Sequence, residues 1–170
     1  MHAMELIELE RQNMEKMKFV LAVGAIGLFF YFLTPSADRN ESGQIITEGT
    51  VDVFSIRIGD CFDDTEDNVQ ISNVGGIPCG FPHDNEIYAI TIMPNSAFPG
   101  EDAIQSTAQD YCLSQFESFV GLAYEESVLD ISYLYPTQDS WNQANDREID
   151  CIVYDMAGEK LSDSMRGKGI

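Results

Sequence analysis

Basic residues are what this sequence has least of. Its 170 residues hold nine Lys and Arg against 29 Asp and Glu, a formal net charge of −20. Proteins bind nucleic acid by neutralising phosphates with Lys and Arg, so that function class is excluded. The same shortage excludes adhesion to anionic lipid headgroups through a basic surface. Several chemical motifs are also missing. There is no Cys-x-x-Cys pair for structural zinc and no Gly-x-Ser-x-Gly elbow for a serine nucleophile. Neither a P-loop nor a dinucleotide fingerprint occurs. No catalytic residue, cofactor site or metal site is assigned on these grounds.

One apolar run is present. Phe19 to Leu33 reads FVLAVGAIGLFFYFL, 15 residues without a charge. A bilayer core takes about 20 residues of helix. Lys16 and Lys18 extend the reach by snorkelling, and Tyr31 suits the opposite interface. Arg11, Lys16 and Lys18 precede the run, and only Arg39 closely follows it. The positive-inside rule then places the N-terminus in the cytoplasm and the rest outside. A cleaved signal peptide needs a small-x-small site, and Pro35 is badly placed for cleavage after Ala37. The run is therefore read as an uncleaved signal anchor. The expected organisation is a cytoplasmic segment (1–18), a transmembrane anchor (19–34), a flexible linker (35–50) rich in Ser, Gly, Glu and Thr, and an extracytoplasmic domain (51–170).

All four cysteines, Cys61, Cys79, Cys112 and Cys151, fall in that last part. An even count in an exported domain of this size implies two disulfides. Three connectivities are open. Cys112–Cys151 follows if a helix meets the last strand, and Cys61–Cys79 follows if the first and third strands are neighbours.

Periodicity predicts strands over Val51–Ile58, Val69–Val74, Glu86–Met93, Ser127–Pro136 and Arg147–Asp155. Gly75 and Gly76 close the second of these, and Gly59–Asn68 reads as an acidic turn. Glu101–Val120 is the one long helix, with acids in its first turn and Gly121 as its stop. Ile104, Ala108, Cys112, Phe116, Phe119 and Val120 form its apolar stripe. Thr137 is placed to cap a short helical turn, and the final residues look frayed. The fold class is α+β, one long helix on a mostly antiparallel sheet with two disulfides, preceded by a single N-terminal transmembrane helix.

The densest cluster of polar chemistry is IPCGFPHDNEIYAI, with Cys79, Pro82, His83, Asp84 and Glu86 close together. Once Cys79 is in a disulfide, His83 lacks a metal partner. The motif then reads as a structural corner, Asp84 taking backbone amides and His83 donating to a carbonyl. A strand there puts Asp84 and Glu86 on one face. The acids Asp60, Asp63, Asp64, Glu66 and Asp67 suggest calcium, but Asn68 stands where an EF-hand needs Gly. Tyr133, Tyr135 and Trp141 suggest a ligand-stacking patch, against their reading as core and rim aromatics.

These motifs, taken in order, resemble the septum formation domain family of actinobacterial membrane-anchored proteins. The resemblance rests on IGDCF (58–62), IPCGFPHDNEIYA (77–89), FPGEDA (98–103), CLSQFESFVG (112–121), SYLYPTQDSW (132–141), DREIDCIVYD (146–155) and LSDSMRG (161–167). All four family cysteines have counterparts, which reinforces the disulfide reading. The resemblance implies a role in septum formation or envelope assembly and brings no catalytic residue. The expected function is a non-enzymatic, membrane-anchored binding or scaffold protein, its partners the membrane and other division or envelope proteins. A hydrolase or cell-wall fragment sensor using His83, Asp84 and Glu86 is the alternative.

Overall fold

Alternating burial in one strand sets the architecture. In Glu148–Asp155 (β7), Ile149, Cys151 and Val153 join one apolar cluster, while Ile152 joins a second. A strand buried on both faces must lie inside a sheet. The computed structural model, which describes residues 35–64 and 72–170, places β7 between Asn85–Ile92 (β5) and Leu129–Leu134 (β6). The other strands of this sheet are Gly49–Asp52 (β1), Cys61–Asp63 (β2) and Asn73–Ile77 (β3). The order is β1-β3-β2-β5-β7-β6, and every pair is antiparallel. Pro82–His83 (β4) and Leu161–Ser162 (β8) form a separate two-stranded ladder. The expected α+β architecture, one long helix on an antiparallel sheet with two disulfides, is present.

The helix α1 spans Glu101–Val120, and its buried residues are the six of the expected stripe. Gly121 ends it in the left-handed conformation (φ 86°) and donates to the Glu117 carbonyl. The stripe packs on Leu129, Ile149 and Val153. A bulge at Tyr88 turns both Tyr88 and Ala89 toward α1, where the Tyr88 hydroxyl donates to the Cys112 carbonyl at 2.7 Å. The disulfide Cys112–Cys151 ties α1 to β7 across this core, and Cys61–Cys79 ties β2 to the turn after β3. Loop-closure entropy makes each worth about 3–4 kcal/mol. Gln138–Gln143 (α2) begins at Thr137, whose side chain and Ser140 form a reciprocal cap.

Several expectations need correction. The strand over Val51–Ile58 stops at Asp52. The Asp52 carboxylate accepts from Phe54 N at 2.8 Å and caps a 3-10 turn, Val53–Ser55, so side-chain competition wins over alternation. Gly75 and Gly76 lie inside β3 and do not close a strand. A Cβ on Gly76 would meet Val51 Cγ2 at 2.6 Å, so the close packing of Val51 against β3 favours glycine there. Cys61–Asp63, expected in a turn, is β2. The rest of the acidic run, with Glu66 and Asp67, falls within 65–71, and the expected anchor and cytoplasmic segment (1–34) also lie outside the described residues. Among the described residues no helix is long and apolar enough to cross a membrane.

The stretch expected to be a flexible linker is docked. Ser36 bridges Thr50, Arg39 bridges Ile45, and Ile45 is buried in the second cluster. The Arg39 guanidinium grips Asp60 with two bonds, 2.6 and 2.7 Å. Asp60 is sealed, at 3% side-chain exposure, and also accepts from Arg57 N. The closing residues are likewise ordered: β8 pairs with β4, and Met165 is buried. Local composition is polar in both stretches; their order comes from distant partners.

The Arg39–Asp60 pair yields the first prediction. Arg39→Ala leaves a buried carboxylate unpaired and lowers stability by about 3 kcal/mol. The double replacement Arg39→Met/Asp60→Leu restores most of it. Urea melts check this, and an unchanged midpoint in Arg39→Ala would refute the docking.

Candidate functional site

The Pro82–Glu86 motif is a corner. His83 Nδ1 donates to the Phe81 carbonyl at 2.7 Å, which fixes the proton on that nitrogen. Its Nε2 is buried without a partner. Asp84 takes the backbone amide of Asp64 and the ammonium of Lys160, which also holds Asp63. Burial alone would raise the Asp84 pKa; the Lys160 and Asp64 bonds outweigh it and hold the carboxyl below its usual range. A bend at Asp84 separates β4 from β5, so Asp84 and Glu86 do not share a face as expected. Glu86 points inward, at 0% exposure. It accepts from Ser164 Oγ at 2.5 Å and from Met165 N at 2.6 Å. Burial raises its pKa, and those two bonds with the His83 charge partly offset the rise.

Cys61, Cys79 and Glu86 are the one group of three potential metal ligands that converges, within 4.8 Å, among the described residues. Both sulfurs are consumed in the disulfide, so this set cannot offer thiolates. The described acids of the proposed calcium set are each engaged elsewhere: Asp60 by Arg39, Asp63 by Lys160, Asp64 by Asn85. Trp141 does not join a surface patch with Tyr133 and Tyr135. It is buried, donates to the Ser96 carbonyl, and carries the Arg147 guanidinium 3.8 Å above its ring.

The cleft lies elsewhere. A cavity of about 430 Å³ is lined from both sides of the edge strand β6. Its walls include exposed Phe54, Val53, Leu134 and Tyr135, and its acids are Glu101, Asp146, Glu148 and Asp150. The last three sit at alternate positions into β7, opposite the face that carries Ile149, Cys151 and Val153. Asp146 is occupied, accepting from Ser140 Oγ and Glu148 N. Glu101 is occupied by Gln105 and the Tyr135 hydroxyl.

Asp150 is different. It lies between Ile90 and Leu134 in the sheet register and is 5% exposed. Its Oδ1 is buried with no donor. Burial first, then the charges of Glu148 and Asp146, push its pKa up to about 8. Burial and Asp146 also raise Glu148, while a bond from Asp150 works against that rise. The two carboxyls therefore hold one proton between them, carried by Asp150. The pair is hidden in the sequence because the apolar half of the alternation, Ile149, Cys151 and Val153, already accounts for the strand. The signal was the acid-x-acid-x-acid spacing Asp146, Glu148, Asp150, which period two puts on one face.

A disulfide-stapled α+β domain with a buried Asp150 beside a half-buried Glu148 in a cleft defines the class. The chain belongs to the septum formation family, whose model matches residues 58–168. That span carries all four cysteines, the corner and the four acids of the cleft, while Val53 and Phe54 precede it. No curated protein and no solved structure matches the chain.

Two predictions follow from the buried carboxyls. The folded pKa of Asp150, about 8, exceeds its ordinary value of 3.8, so the native state holds an extra proton between them. The stability from that proton is complete below about pH 4 and is lost as pH rises through about 8. Asp150→Asn flattens this loss and raises the melting temperature at neutral pH by roughly 3 °C or more. Thermal melts across that range test it, and an unchanged pH slope would count against the buried proton. Glu86→Ala strands the Ser164 hydroxyl and Met165 amide, costing about 2–3 kcal/mol, with faster hydrogen exchange at Met165 as the check.

Proposed function

We propose that this chain acts in septum formation as a membrane-anchored binding module whose domain lies outside the cytoplasm. The cleft beside β7 carries the reading, because it is concave, partly apolar and holds polar groups with no internal partner. Two disulfides within one small domain support an oxidising compartment. The apolar run Phe19–Leu33 with its preceding bases supports the anchor. The partners on this reading are other division or envelope proteins. No reaction is assigned. Of the residues of the hydrolase alternative, His83 and Glu86 are each at 0% exposure, and the half-buried Asp84 is held by Lys160 and the Asp64 amide.

The test is crosslinked capture of the full chain from dividing cells. Division or envelope proteins should be recovered, and Leu134→Glu in the cleft wall should lower their yield several-fold. Recovery no greater than a tag-only control, together with normal septa in a deletion strain, would sink the reading.

A further inference from the structure

We propose that the cleft takes an alkylammonium group, a primary amine on an aliphatic stem as in a lysine side chain, with the amine at the Glu148–Asp150 pair. The inference rests on the binding reading above and names the chemistry of its ligand.

Charge narrows the choice first. Among the described residues four carboxyls line the cleft and no Lys or Arg does. The nearby Arg147 guanidinium is turned onto Trp141 and donates to the Trp141 and Asp146 carbonyls. An anionic ligand is repelled, and a neutral one leaves the pair's charge uncompensated. A metal ion needs converging ligands. Among the described residues no three of these four acids bring their oxygens within 4.8 Å of one another. An ammonium needs less: one cation with three donors satisfies two carboxyls.

The free acceptors say where it sits. Asp146 and Glu101 already accept hydrogen bonds, so the unengaged charge is at Glu148 and Asp150. A buried polar group without a donor is costly, and its presence asks for an explanation. The stem has its own surface. Leu134 is the register partner of Asp150, so both project from one face of the sheet. Val53 and Leu134 pack on the second apolar cluster, and exposed Phe54 adds a ring from the same wall. A cavity of about 430 Å³ leaves room for the stem and part of the chain that bears it.

Proton balance gives the inference a signature. Among the described residues, Asp146 on the same strand run is the charge that acts on the pair, and Glu101 from α1 lines the same cleft; the flanking Ile90 and Leu134 and the wall residues Val53 and Phe54 carry no charge. The arriving ammonium supplies the positive charge that the shared proton supplied before. The proton leaves Asp150 for solvent, and no bond between heavy atoms forms or breaks.

The probe is Nα-acetyl-lysine methylamide, titrated calorimetrically into the full chain in neutral detergent, in two buffers of different ionisation heat. Saturable binding with proton release at neutral pH is expected, tightening as pH rises toward 8. Butylamine should bind the same site more weakly, which separates a free amine from a side chain on a peptide. Acetylating the ε-amine should abolish binding. Glu148→Gln and Asp150→Asn should each weaken it about tenfold or more, and Asp150→Asn should end the proton release. Asp150→Asn removes a buried acid, so melting temperature serves as its folding control. Equal binding of the acetylated probe, displacement by calcium chloride, or no saturable heat at millimolar probe each overturns the amine. If the probe fails while crosslinked capture still recovers partners, the ligand chemistry is wrong and the binding reading stands; if both fail, both fall.

Discussion

The Glu86 carboxylate is the constraint on which the rest of the domain leans. It sits at the start of β5, opposite Cys61 of β2 and beside the Cys61–Cys79 bridge. From there it accepts from Ser164 and Met165, 78 and 79 residues away in sequence. One side chain thereby fixes the sheet's hinge between β2 and β5, the first disulfide and the C-terminal tail. The β4–β8 ladder and Met165 in the α1 core follow from where that tail is pinned. A carboxylate so deeply buried is tolerable only because a hydroxyl and an amide replace its water. The corner motif is accordingly a device of assembly, with Pro82 and His83 starting the turn that aims Glu86 inward.

What could be read from sequence was what repeats locally. The α1 stripe, the Gly121 stop and the Thr137 cap depend on spacings of three or four residues, and all three are present. The helix-facing half of β7 was legible for the same reason. What stayed hidden depends on partners far away in the chain. Arg39 looked like a linker charge because its partner, Asp60, lies 21 residues on. Ser164 and Met165 looked like a frayed end because nothing near them shows that Glu86 lacks donors. Gly75–Gly76 reads as a stop because the close approach of Val51 and Ile45 to Gly76 is invisible along the chain. The cleft was half legible: its acid spacing is local, but its depth comes from Ile90 and Leu134 on neighbouring strands.

The two buried carboxyls on this sheet make an instructive pair. Glu86 and Asp150 have similar burial, at 0% and 5% exposure, and opposite circumstances. Glu86 has donors for both oxygens from within the chain. Asp150 has another acid for its neighbour and keeps a proton to survive. Internal satisfaction marks a group that holds the fold together, since removing either partner costs stability. Missing satisfaction marks a group whose complement comes from outside, because the fold alone gives no reason to keep it.

That distinction also separates the parts of the cleft. Its carboxyls stand on and just before β7 and at the start of α1, elements locked by Cys112–Cys151 and by the aromatic core around Phe116. Their positions are therefore rigid, as a charge-recognising site requires. Val53 and Phe54 come from a 3-10 turn held by the Asp52 cap, by Val53 N donating to the Ser72 carbonyl, and by Arg39 donating to the Ser55 carbonyl. The charged floor lies inside the span matched by the family, and this outer wall precedes it. Floor and wall are thus set by different constraints. The floor decides the charge of what enters, and the wall decides the length and shape of the stem that carries it. A change in this turn can retune the shape of the ligand without disturbing the carboxyl pair beneath it.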